Sequence, residues 1–121
     1  MFILFKCGGM SKKFYITTSL PYVNAPPHIG FAMEIIQADV LARYHRLLGD
    51  KTFFLTGTDE HGMKLAQAAE QNGVTPRELA DQNAEHFRAL QKLLMLSNDF
   101  FIRTTDESHK RGAQKLWKKL V

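Results

Sequence analysis

Three short runs of β-branched and aromatic residues, 14–18, 52–56 and 100–104, are separated by stretches whose apolar residues recur at helical spacing. No other feature constrains the fold as strongly. The resulting order is strand, helix, strand, two helices, strand, helix. Strands that alternate with helices cannot be joined by tight hairpins, so the order predicts a parallel sheet with right-handed crossovers. The fold class expected is α/β, a partial Rossmann-like doubly wound sheet of order β-α-β-α-α-β-α. It is incomplete, because the last helical stretch is still running at Val121. The 121 residues, 45% hydrophobic and 23% charged, suit one domain or part of one. An unfinished half-sheet would leave apolar faces open, so further strands or a partner are expected to cover them.

Local signals place the elements. Residues 21–27 hold three of the four prolines and read as a rigid loop. From His28 the period changes. Ile29, Met33, Ile36, Val40, Tyr44 and Leu47 form the stripe of an amphipathic helix, with Pro27 suited to its first turn and Gly49 closing it. A helix over 63–71 stops at Asn72-Gly73. Thr75-Pro76-Arg77-Glu78 is a capping box that opens a helix to about Met95, and another helix starts after Asp106. The runs at 14–18 and 52–56 are expected to be buried strands, with Phe53, Phe54, Phe100 and Phe101 as core.

The single cysteine, Cys7, excludes an intrachain disulfide framework or a cysteine zinc cluster within these residues, which fits a cytoplasmic location. The apolar start is cut short by Lys6, Gly8 and Gly9, so neither export nor membrane insertion is expected, and residues 1–11 are expected to be a disordered N-terminal extension. The net charge of +4 tolerates nucleic acid or nucleotide without requiring either. The basic residues Lys110, Arg111, Lys115, Lys118 and Lys119 read as a solvated helix face, with a polyanion surface as the alternative.

In parallel α/β sheets ligands bind beyond the carboxyl ends of the strands, which singles out the loops after the first two. In the first, Pro27-His28-Ile29-Gly30 brings an imidazole and a glycine to a helix N-terminus. Free N–H groups and the helix dipole there suit phosphate, and His28 can donate to a phosphate oxygen. The plainer alternative is that His28 only caps the helix. In the second, Thr58-Asp59-Glu60-His61-Gly62, Asp59 can hold a cationic group such as an ammonium, or Asp59 or Glu60 can merely cap the next helix. A metal site from His61, Asp59 and Glu60 lacks a further spaced ligand set, so no metal site is assigned.

Thr17-Thr18-Ser19-Leu20-Pro21-Tyr22-Val23-Asn24, Pro27-His28-Ile29-Gly30, Phe54-Leu55-Thr56-Gly57-Thr58-Asp59-Glu60-His61-Gly62 and Phe101-Ile102-Arg103-Thr104-Thr105 occur in this order. Together they resemble the N-terminal catalytic region of the bacterial methionyl-tRNA synthetases of class I. The resemblance runs from about Lys12 to the end, so residues 12–121 are expected to be the N-terminal half of the family's Rossmann-type catalytic domain. It implies that methionine and ATP, the latter with Mg2+, give methionyl-adenylate and pyrophosphate, and that the methionyl group then passes to tRNA. It further implies that His28 contacts the ATP phosphates, with Pro27, Gly30 and Phe31 beside the nucleotide. Asp59 would hold the methionine ammonium, and Ser19, Leu20 and Tyr22 would border the methionine pocket.

Two departures stand out. Phe31 occupies the position where the family pattern has a second histidine, and a phenyl ring cannot donate a hydrogen bond. The 121 residues also contain no Lys-Met-Ser-Lys-Ser-like loop, no zinc knuckle and no anticodon-binding helical domain. The chain is therefore expected to be a fragment of a ligase, inactive by itself and with no membrane partner. The competing readings are a related nucleotidyltransferase built around a His-x-Gly loop, and a non-catalytic RNA-binding or assembly module using the basic C-terminal helix.

Overall fold

A computed structural model of the chain describes residues 12–121. The expected disordered extension, 1–11, lies outside the described residues. The elements are β1 (Lys13–Thr17), α1 (Ile29–Leu47), β2 (Lys51–Thr58), α2 (Met63–Gln71), α3 (Pro76–Leu93), β3 (Phe100–Arg103) and α4 (Glu107–Leu120). The strands form one parallel sheet in the order β1-β2-β3.

The sheet has two unlike faces because side chains alternate along each strand. Ile16 pairs with Phe54, and Phe101 with Thr56 two residues on, so these side chains share one face. Against it pack Phe31, Ile35, Ala38 and Ala42 of α1, Leu65 and Ala69 of α2, and Leu79, Ala80 and Phe87 of α3. On the second face Tyr15 stacks on Phe53 with ring centroids 6.1 Å apart, and both stay exposed. There α4 lies beside β3, where Phe100 and Ile102 border a shallow apolar hollow with Gly112, Ala113 and Leu116. Helices on both faces of a parallel sheet give the partial doubly wound arrangement expected.

The structure corrects several readings of the sequence. The α1 stripe of Ile29, Met33, Ile36, Val40, Tyr44 and Leu47 is exposed, Ile29 to 88%. The buried stripe is the neighbouring one, Phe31, Ile35, Ala38 and Ala42. Both have helical spacing, and α1 is apolar around much of its circumference, so period alone cannot choose between them. β1 is not a buried strand but an edge strand of alternating exposed and half-buried residues. Of the four phenylalanines expected in the core, Phe54 is fully buried and Phe101 partly, whereas Phe53 and Phe100 face the open side.

Pro27 precedes the N-cap of α1 rather than entering its first turn. α3 stops at Leu93, short of Met95, whose φ of 51° is left-handed. Its start is as expected: Thr75 and Glu78 exchange both bonds of the capping box. At the sheet's amino-terminal edge Asp39 of α1 accepts from the Ser97 N–H at 2.6 Å and from Arg43 Nε at 2.6 Å. Burial would raise the Asp39 pKa, but the bonds from the Ser97 hydroxyl, from Arg43 and from the Ser97 N–H outweigh it and hold the carboxyl below its ordinary value.

Candidate active site

Beyond the last residue of β1 the chain keeps pairing with β2. The Thr18 N–H donates to the Leu55 carbonyl at 3.3 Å, the Asp59 N–H to the Pro21 carbonyl at 2.9 Å and the Val23 N–H to the Asp59 carbonyl at 3.4 Å. Tyr22 thereby lies opposite Asp59 as an isolated parallel bridge. The proline-rich loop is thus tied directly to the Asp59 loop. From α3, Asn83 Nδ2 donates to the Val23 carbonyl at 2.7 Å, and Val23 itself is fully buried. Prolines stiffen this segment, but these bonds decide where it sits.

His28 is the N-cap of α1, and its Nδ1 accepts the Gly30 N–H at 3.0 Å. A ring nitrogen that accepts a backbone N–H carries no proton, so the neutral imidazole has its proton on Nε2. The two readings of His28 are therefore compatible: one nitrogen caps the helix while the other is left to donate. The free N–H cluster expected at this helix start is largely absent, because Gly30 is committed to the imidazole and Phe31 and Ala32 to the His28 carbonyl. Any phosphate here would meet the imidazole first.

Gly30 has a local reason to be glycine. A Cβ at that position would lie 2.8 Å from His28 Cε1 and 3.0 Å from Nδ1. The obstacle is the end of a side chain, which can rotate away. Gly30→Ala is therefore expected to leave the midpoint of thermal unfolding nearly unchanged while breaking the Nδ1 cap, visible as a change in the His28 tautomer by nitrogen NMR.

Phe31 points inward. It is 5% exposed and meets Phe87 edge-on, with ring centroids 5.2 Å apart and planes at 76°. It also borders a hollow of about 270 Å³ with Pro21, Tyr22, Pro26, His28 and Phe87. A second hollow of about 230 Å³ is lined by Tyr22, His61, Gly62, Met63 and Lys64. Each falls below the roughly 300–1,000 Å³ of pockets that enclose a whole drug-sized ligand. Tyr22 stands between the two hollows.

Ser19 is exposed, and both its N–H and its Oγ donate to the Glu34 carboxylate, at 2.6 and 2.9 Å. Glu34 was not apparent in the sequence: it lies on α1 outside both stripes, and only the tertiary structure brings it to the end of β1. Leu20 is half-buried beside it.

Asp59 is half-buried, and its Oδ1 accepts from Thr104 Oγ1 at 3.2 Å and from the His61 N–H at 3.4 Å. Neither Asp59 nor Glu60 caps α2: the N-cap is Gly62, at a φ of 119° that disfavours side chains, and it makes no side-chain cap bond. Glu60 is instead a buried keystone. It accepts from Arg103 Nε at 2.5 Å, from Thr58 Oγ1 at 2.8 Å and from the Thr105 hydroxyl. Arg103 also reaches Asp81 of α3 at 2.5 Å. Burial would raise the Glu60 pKa, but the bonds from Arg103, Thr105 and Thr58 outweigh it and hold the carboxyl below its ordinary value. The bond to Glu60 and then that to Asp81 raise Arg103 in turn. With its oxygens so engaged, Glu60 is unavailable as a metal ligand.

The sequence-predicted residues thus gather at one end of the sheet. Ser19, Leu20, Tyr22, Pro27, His28 and Gly30 follow β1, Asp59 follows β2, and Phe31 forms the inner wall.

Comparison with known proteins agrees with this architecture. The family model described as "tRNA synthetases class I (M)" matches residues 14–121. The methionine–tRNA ligase of Brucella suis biovar 1 is 50% identical over 110 residues, 91% of this chain and 21% of that protein. That of Thermotoga maritima is 55% identical over 108 residues, 89% of this chain and 17% of that protein. The structure of Mycobacterium tuberculosis methionyl-tRNA synthetase in complex with methionyl-adenylate superposes with a TM-score of 0.86 at 48% identity, covering 88% of this chain and 21% of that one. The chain spans about a fifth of the length of the curated relatives it matches. The family model, near-half identity over almost all the described residues and the close superposition agree, and the chain belongs to the class I methionyl-tRNA synthetase family.

Proposed function

We propose that this chain supplies the methionine- and ATP-binding part of a methionine–tRNA ligase, residues 12–121 being the N-terminal half of its Rossmann-type catalytic domain. In the first reaction a methionine carboxylate oxygen attacks the α-phosphorus of magnesium-bound ATP, the bond to the bridging oxygen breaks, and pyrophosphate leaves. In the second the methionyl group passes to the 3′ end of tRNA. With no covalent enzyme intermediate, the protein's part is positioning and charge stabilisation.

The observation that carries this reading is the His28 cap. Because Nδ1 is occupied by the Gly30 N–H, Nε2 presents its proton outward at the positive end of α1, suited to a phosphate oxygen as negative charge grows on it. Pro27 and Gly30 border the nucleotide, and Phe31 backs the hollow from inside. Asp59 takes the methionine ammonium, and Leu20 and Tyr22 flank the side chain. Ser19 borders the amino-acid side, held in place by Glu34, which takes both of its donors. That the Mycobacterium tuberculosis relative holds methionyl-adenylate supports this pairing of subsites. Among the described residues no helix is long and apolar enough to cross a membrane, and the single cysteine suits the cytoplasm where protein synthesis takes place.

Calorimetric titration of the chain with a non-hydrolysable methionyl-adenylate analogue tests the reading. The analogue is expected to bind, Asp59→Asn to weaken it by on the order of tenfold, and His28→Ala to weaken ATP binding while sparing methionine. The 121 residues alone are expected to give no methionine-dependent pyrophosphate exchange. Absence of analogue binding, or preferential binding of cytidine nucleotides, would sink the assignment.

A further inference from the structure

We propose that Thr104 is a positioning residue for the amino-acid subsite, orienting the Asp59 carboxylate so that one oxygen is left free for a cationic group. The proposal rests on the reading of Asp59 given above. Thr104 follows β3 and is 8% exposed. Its own N–H donates to the Thr58 carbonyl at 3.1 Å, which fixes the backbone relative to β2. Its Oγ1 accepts the Glu60 N–H at 2.8 Å. With that lone pair used, the hydroxyl proton is directed to Asp59 Oδ1 at 3.2 Å.

The consequence is an asymmetric carboxylate. Both donors to Asp59, the Thr104 hydroxyl and the His61 N–H, converge on Oδ1. Among the described residues none donates to Oδ2. A carboxylate held by one oxygen presents the other in a single direction, so an arriving ammonium need not first order it. Thr104 is in turn placed by the buried ion pair beside it, since Arg103 is bonded to both Glu60 and Asp81. Thus β3, which contributes no side chain to the expected pocket, sets the aim of the residue at the end of β2.

The test uses Thr104→Val, which keeps the shape and loses the hydroxyl, and Thr104→Ser, which restores it. The first readout is the Asp59 χ1 rotamer from three-bond NMR couplings. The wild type and the serine variant are expected to hold one rotamer, and the valine variant to average over several. The second is binding of methionine against its analogue lacking the α-amino group. Thr104→Val is expected to weaken methionine by on the order of tenfold, leave the desamino analogue within about twofold, and be rescued by serine. A merely structural role would weaken both ligands together. An Asp59 rotamer undisturbed in the valine variant, or equal losses for the two ligands, would overturn the proposal. If the wild type binds no methionine while the rotamer still responds as expected, the positioning role stands and the ammonium reading of Asp59 falls.

Discussion

Replacing Arg103 with leucine is expected to lower the free energy of unfolding by about 3–5 kcal/mol, measured by urea denaturation at neutral pH. The size follows from what is left behind. The Glu60 side chain is fully buried and that of Arg103 is 12% exposed, so the substitution strands a carboxylate away from water. The Thr58 and Thr105 hydroxyls still donate to it but cannot neutralise its charge. Asp81 loses its second partner but remains half-exposed and keeps Arg77 at 3.1 Å, so its share is small.

The same pair sets a pH dependence whose sign can be worked out. In the wild type the folded Glu60 pKa lies below the ordinary 4.5, so its stabilisation is fully present above that value and is lost as pH falls through the folded one. In the leucine variant burial without the guanidinium pushes the carboxyl up instead, so the variant gains stability relative to the wild type as it takes up a proton. The gap between the two proteins should therefore begin to narrow above pH 4.5, where the raised carboxyl of the variant takes up its proton, and close as pH falls through the lowered wild-type value. A gap that stays constant to pH 3 would mean that Glu60 is not the charge left unpaired.

Gly57→Ala is expected to cost at least ~3 kcal/mol, at or beyond the upper end for overpacking, by the same urea measurement. Gly57 pairs with Ile102 across β2 and β3, and a Cβ there would lie 1.9 Å from the Ile102 carbonyl oxygen and 2.7 Å from its Cγ2. A carbonyl oxygen cannot rotate away as a side chain can. The strands would have to part just before Thr58 and Asp59, so ligand binding at Asp59 should fail together with stability. Gly112→Ala in α4, where a new Cβ meets nothing within 4 Å, is the control. It is expected to be neutral or to stabilise by up to about 1 kcal/mol, through the better helix propensity of alanine.

Element order, the parallel sheet, the capping box of α3 and the two loops that carry the candidate site were legible in the sequence alone. These depend on local chemistry: proline and glycine punctuation, the shift from strand to helical period, and capping residues at fixed offsets. His28 and Asp59 could be singled out because ligands gather where parallel strands end. The tertiary structure decided which side of each element is inside. In α1, Ile29, Met33 and Ile36 and the neighbouring Phe31, Ile35 and Ala38 recur at the same period, and only packing on the face of Ile16 and Phe54 distinguishes them. The bonds from Arg103 and Thr105 to Glu60, the placement of Glu34 on Ser19 and the bond from Thr104 to Asp59 join residues 15 to 45 positions apart. Such pairings leave no periodic trace, because a hydrogen bond depends on where two side chains end in space and not on their spacing along the chain.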